Sequence, residues 1–185
     1  MDTKKYVVLL RGINVGGHHK VPMKDLKNEL EGMGFENIVT LLNSGNIILE
    51  AKKFTSEKLE AGLTQSLGNI FGFSIPVIAR EANDMAEISN LNPFRDVAVT
   101  KDTRLYVSFL KKETNVELTF PWKTGDGSYQ ILNIYKKIIF SVLDLSITKT
   151  TKGMDTLEQM FGKDITTRNW NTVKKIVDKL NSVCP

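Results

Sequence analysis

The residues with the clearest chemical potential are Arg11, Gly12, Asn14, Gly16, Gly17 and Lys20, which follow the first apolar run of the chain. Glycine at 12, 16 and 17 permits positive φ and close backbone approach, so successive N–H groups can converge on an anion. Arg11 and Lys20 add positive charge, and Asn14 adds a directional amide. A helix beginning near Pro22 would contribute the positive end of its dipole. The spacing matches neither Gly-x-Gly-x-x-Gly nor Gly-x-x-x-x-Gly-Lys-Ser/Thr, so neither the dinucleotide fingerprint nor the P-loop applies. The expected chemistry is recognition of a small anionic or phosphorylated ligand, with turnover left open and no cofactor required. The same residues also suit a loop needed only for tight packing, with Asn14 turning the chain.

Two further groups carry polar chemistry. Ser44 and Asn46 flank Gly45 in a turn-forming string and can donate or accept directional hydrogen bonds. Ser44 is better explained by turn chemistry than by nucleophilicity, because no Gly-x-Ser-x-Gly elbow and no Cys–His arrangement accompanies it. Near the C-terminus, Arg168 is a bidentate donor and Trp170 a large stacking surface, with Asn169 and Asn171 beside them. Trp170 heads an amphipathic helix, which favours a core role, and the asparagines suit helix capping. Arg168 serves either a ligand or an ordinary ion pair. The two histidines, His18 and His19, are adjacent, and neighbouring positions seldom aim both rings at one ion. No metal site is expected.

The elements that must position these residues follow from periodicity. Tyr6–Leu10 is a short apolar run with the pattern of a buried strand. Leu26, Leu30 and Met33 recur at helical spacing after Pro22, and Gly34 supplies a stop. Ile38–Leu42 and Ile47–Leu49 flank the Asn43–Asn46 turn as a hairpin. Thr55 or Ser56 can cap a helix carrying Leu59, Leu63, Leu67 and Phe71, and Ile75–Ala79 is another strand. After a short helix over Asn83–Ser89, strands are expected at Arg104–Leu110, Tyr129–Ile134 and Ile138–Leu143, with Val116–Phe120 a short helix or turn. A helix over Met154–Phe161, a strand over Ile165–Thr167 and a terminal helix striped by Val173, Ile176, Val177 and Leu180 complete the chain.

This order predicts an α+β protein of two ferredoxin-like βαββαβ subdomains with a C-terminal helix. The first spans 1–90 and carries the glycine loop; the second spans 91–185 and includes the terminal helix. With right-handed crossovers, the first strand lies between the third and fourth and runs parallel to the second. The end of the first strand at Arg11 and the hairpin at Asn43–Asn46 then share one rim of the sheet.

Composition bounds the class. The 185 residues, 41% of them apolar, can fill a core without disulfides. The single cysteine, Cys184, excludes an internal disulfide and fits a reducing compartment, so a cytoplasmic location is expected. The apolar run before Arg11 is too short for a signal peptide core or a membrane span. A net charge of +4 is compatible with phosphate-bearing partners, but the lysines come in scattered pairs rather than a stripe. A nucleic-acid-binding module is the main alternative, although Tyr106 and Phe109 do not share a face of their strand and no RNP-like aromatic pattern is present. A scaffold or oligomerisation protein is the third reading, and the sequence leaves the oligomeric state open.

Several strings together resemble a known family. Leu9–Gly17, Lys20-Val21-Pro22-Met23, Gly34-Phe35 and Ser44-Gly45-Asn46 are similar to the N-terminal signature of a widespread bacterial family of uncharacterised proteins, known as a domain of unknown function. Asn92-Pro93-Phe94 and Thr166–Thr172 resemble its middle and C-terminal motifs. The resemblance spans nearly the whole chain and implies no activity, substrate or catalytic residue. Asn43 stands where such proteins usually carry Gln, and Asp144–Lys152 departs from the Gly- and Ser-containing stretch expected there, which weakens a ligand role for the second half.

Overall fold

Tyr6–Leu10 is apolar without interruption because its strand is buried on both faces: Tyr6, Val7, Val8, Leu9 and Leu10 all lie within the interior. In the computed structural model of the chain, which describes residues 3–52 and 54–182, this run belongs to strand β1 (Thr3–Leu10). Cys184 lies outside the described residues. The chain continues as α1 (Met23–Gly32), β2 (Glu36–Leu41), β3 (Asn46–Lys52), α2 (Ser56–Phe71), β4 (Val77–Glu81) and α3 (Ala82–Leu91). It then forms β5 (Thr103–Leu110), β6 (Trp122–Lys123), β7 (Tyr129–Tyr135), β8 (Ile138–Asp144), α4 (Thr150–Phe161), β9 (Ile165–Asn169) and α5 (Trp170–Ser182). Two compact units result: among the described residues, one comprises those up to Glu87 together with Ile176–Ser182, and the other is Ile88–Lys175.

The first unit holds a four-stranded antiparallel sheet in the order β2-β3-β1-β4. Right-handed crossovers require this order, with β1 between β3 and β4. Leu9 pairs with Asn46 and Leu10 with Val77, so the end of β1 is flanked by the start of β3 and the start of β4. Tyr6, Val8 and Leu10 face Leu26 and Leu30 of α1 and Leu59, Leu63 and Leu67 of α2 in one core. Helix ends follow local chemistry. Thr55 Oγ1 accepts from Lys58 N at 3.3 Å, and α2 stops at Gly72, whose φ is 77°.

The second unit holds a five-stranded antiparallel sheet in the order β6-β7-β8-β5-β9. Four of these strands repeat the arrangement of the first sheet, with β5 flanked by β8 and β9. Two details differ from the expected second copy. No helix joins β5 to β7, because Val116, Leu118 and Phe120 recur at every second residue and cannot form a helical stripe. In its place the chain adds the two-residue strand β6 at the sheet edge. Tyr129, Ile131, Ile139 and Leu143 pack with Leu157 of α4 and Ile165 of β9.

Candidate functional site

The glycine loop leaves β1 between two fixed supports. Leu10 N donates to Gly45 O at 2.8 Å, and Arg11 N donates to Pro76 O at 3.0 Å. Gly45 has no room for a side chain: at φ 71°, a Cβ there would meet Leu10 Cβ at 2.7 Å and Ile13 Cδ1 at 2.9 Å. The turn between β2 and β3 is thus pressed directly on the end of β1.

Beyond Ile13, which is buried, the loop folds into a miniature hairpin. Asn14 N donates to His19 O at 3.1 Å and His18 N to Val15 O at 3.1 Å. Gly16 and Gly17 form its tip at φ 59° and 79°, as a two-residue turn with both central residues at positive φ requires. Asn14, itself at φ 56°, holds the base. Its Oδ1 accepts from Val21 N at 2.9 Å, while Nδ2 donates to Val21 O at 3.0 Å and Asn43 O at 2.9 Å. On the other side, the His19 ring stacks on Phe73 with centroids 4.5 Å apart and an interplanar angle of 15°. His19 Nδ1 lies 3.2 Å from Gly12 O. A carbonyl only accepts, so that nitrogen carries the hydrogen, and in the neutral ring Nε2 is left as an acceptor.

The candidate residues divide by what their side chains do. Gly12, Gly16, Gly17 and Lys20 are exposed, and Arg11 is half-buried. Ser44 is exposed, and its Oγ accepts from Asn46 Nδ2 at 2.8 Å; Asn46 is fully buried and also donates to Leu41 O at 3.1 Å. Asn14, Ser44 and Asn46 therefore serve as ties within and between the loop and the turn. Arg168 belongs to the second unit, on β9 opposite Val107. It is half-buried, donates from Nη1 to Thr166 Oγ1 at 2.9 Å and Thr167 O at 3.0 Å, and burial holds its pKa down to about 10.

Beside the hairpin base lies an open depression of about 400 Å³, lined by Asn14, Gly17, Lys20, Pro22, Met23 and Asn43 among others. Pro22 is the N-cap of α1 at φ −62° and ψ 129°, and it gives the helix no side-chain cap hydrogen bond. Proline has no side-chain acceptor to offer, so no cap side chain serves the first-turn N–H groups of α1. The sequence places the Asn43–Asn46 turn beside the loop but signals neither Phe73 nor the bond to the Asn43 carbonyl. Neither carries a local signal, since both meet the loop through the sheet topology. Among the described residues, no group of three or more His, Cys, Asp or Glu is arranged to hold a metal ion, and no helix is long and apolar enough to cross a membrane.

The fold has a solved relative. A conserved bacterial protein, SP0830 from Streptococcus pneumoniae, is 25% identical, with a TM-score of 0.66 over 97% of this chain and 99% of that one. Among curated proteins none is similar enough to match. The family model described as "Protein of unknown function (DUF1697)" matches residues 3–140, three quarters of the chain, and the protein belongs to that family.

Proposed function

We propose that the first unit binds a small anion, a phosphate- or carboxylate-bearing metabolite, in the depression beside the glycine hairpin. One observation carries this reading: Lys20 and the start of α1, with no side chain capping the helix, line the same open depression. A helix N-terminus presents N–H donors and a partial positive charge, and a nearby ammonium reinforces both. Gly17 contributes no side chain to the lining. Asn14 and Asn46 act as the frame that holds the hairpin and the turn in register, and Arg11 starts the loop from its bond to Pro76.

The test is a thermal-shift screen with inorganic phosphate, sugar phosphates and dicarboxylates on the wild type and on Lys20→Glu. A ligand present at a hundredfold excess over Kd stabilises by about 2.7 kcal/mol. A shift in the wild type that is lost in Lys20→Glu supports the reading, and an equal shift in both proteins contradicts it.

A second reading, that the signature residues only join elements of the fold, is favoured by the internal bonds of Asn14 and Asn46. It expects Lys20→Glu to behave like the wild type with every compound.

A further inference from the structure

The two motifs of the second half, Asn92-Pro93-Phe94 and the stretch around Arg168–Asn171, meet at one cavity. It has a volume of about 440 Å³, and every residue lining it falls within Ile88–Lys175. We propose that this cavity is a second binding site, for a small planar aromatic anion of the nucleoside monophosphate class.

One wall of the cavity is aromatic. Phe94 is buried and held between two rings: Phe140 edge-on with centroids 6.1 Å apart, and Trp170 with centroids 5.4 Å apart at 58°. Trp170 is thereby fixed against Phe94 while remaining only half-buried, and it lines the cavity. A large indole surface, fixed and partly open, is a stacking platform for a planar ring.

The charge comes from two cations. Arg104 donates from Nη1 to Lys101 O at 2.8 Å and Thr103 O at 3.0 Å, which anchors the guanidinium at the rim. Among the described residues those are its only bonds, so the donors on Nε and Nη2 are left for an acceptor. Lys174 is exposed and stands four residues after Trp170 on α5, on the same face of the helix. No Asp or Glu lines the cavity. Asn169 is already used, its Oδ1 accepting from Asn171 N at 2.9 Å as the cap of α5.

These features select the ligand class. A bare phosphate would use Arg104 and Lys174 but leave the Trp170 surface unfilled. A neutral ring would stack but leave two cations without a counter-charge. A ring joined to a phosphate satisfies both, and the volume lies within the range of small-ligand sites, about 300–1,000 Å³. The atypical stretch Asp144–Lys152 contributes no lining residue.

The test uses Trp170 as its own reporter. In a Trp122→Phe background Trp170 is the sole tryptophan, and its emission is followed during titration with AMP, adenosine and inorganic phosphate. Saturable change with AMP is expected, with adenosine binding at least about tenfold more weakly, equivalent to about 1.4 kcal/mol. Arg104→Gln and Lys174→Glu should each weaken AMP by a similar factor, whereas Lys20→Glu should leave it unchanged, which separates this site from the one in the first unit. If Trp122→Phe does not fold, the indole N–H signals of the wild-type chain, followed by NMR, supply the same readout. Silence of Trp170 at millimolar AMP, adenosine binding as tightly as AMP, or Lys174→Glu without effect would each overturn the proposal.

Discussion

The side-chain amide of Asn14 donates to the main-chain carbonyl of Asn43 at 2.9 Å, and this bond ties the glycine hairpin to the turn between β2 and β3. It joins residues 29 positions apart. The same side chain also exchanges two bonds with the backbone of Val21, just before α1 begins. One asparagine thus sets the relation between the loop, the turn and the helix start around the depression.

Asn14→Ala should therefore be costly. It removes three hydrogen bonds and puts a residue with less tolerance of positive φ at 56°. Leaving polar backbone groups without partners costs about 1–3 kcal/mol. Urea denaturation should find a loss of that size, and a loss below a few tenths of a kcal/mol would mean that water replaces the clamp.

Gly45 and Gly12 form an internal comparison. Both have positive φ, at 71° and 74°, but a Cβ at Gly45 collides with Leu10 and Ile13, whereas one at Gly12 meets nothing within 4 Å. Gly12→Ala should cost the backbone term alone, about 1–2 kcal/mol. Gly45→Ala adds overpacking of about 1–3 kcal/mol. Equal losses in the two variants would contradict the close approach of the turn to β1.

Glu60 and Arg80 occupy the outer backbone groups of β4, one of the two edge strands of the first sheet, at Ala79. Glu60 Oε1 accepts from Ala79 N at 2.9 Å, Arg80 Nη1 donates to Ala79 O at 2.6 Å, and the two side chains lie 3.4 Å apart. β4 is an edge strand, so these bonds occupy backbone groups that would otherwise template another strand. Both side chains are buried, and burial lowers the Arg80 pKa against the opposing pull of Glu60. Glu60→Leu should destabilise by about 3–5 kcal/mol, because it takes the carboxylate partner from a buried cation. It should also raise aggregation on mild heating, read by light scattering. Unchanged stability and scattering would remove the edge-closing role.

Asp126 makes the stability of the second unit depend on pH. Lys152 Nζ lies 2.7 Å from its Oδ2, while Thr124 Oγ1, Ser128 N and Ser128 Oγ donate to its Oδ1. The Lys152 contact first, and then the Ser128 and Thr124 bonds, hold the carboxyl well below its ordinary value. The folded state thus favours the ionised form, so this stabilisation is present above the unfolded pKa of about 3.9 and is lost as pH falls through the lower folded value. Asp126→Asn should be less stable than the wild type at neutral pH, and the two should converge in strong acid. A gap that is constant from neutral pH into strong acid would contradict the assignment.

Much of the first unit was legible because its signals are local. The apolar run of β1 and the cap at Thr55 depend on neighbours in sequence, and the strand order followed from crossover handedness. The pairing of Leu9 with Asn46 put the loop beside the turn, as that order requires. The role of Asn14 was only half legible: its turn-forming type is visible in the string, but its partner Asn43 is set by the sheet. Gly16 and Gly17 suit an anion-binding backbone and a packing loop alike in the sequence, and a Gly-Gly pair closing a two-residue turn needs positive φ for the turn alone. The contact between His19 and Phe73 and the burial of Glu60 against Arg80 join separate elements and leave no periodic trace. In the second unit, β6 is two residues long, too short for a pattern to count, and the segment before it alternates at every second residue and carries no helical stripe.

On the proposed function, the start of α1 and Lys20 together hold an anion. The most direct measurement is backbone amide NMR of the wild-type protein during titration with inorganic phosphate and with a sugar phosphate. Saturable shifts concentrated at Gly17, Lys20 and the first turn of α1, Met23–Asp25, are predicted, and they should vanish in Lys20→Glu. Amides of that turn that stay still while the protein is exposed to millimolar ligand, or that move no more than those at the start of α2, would contradict it.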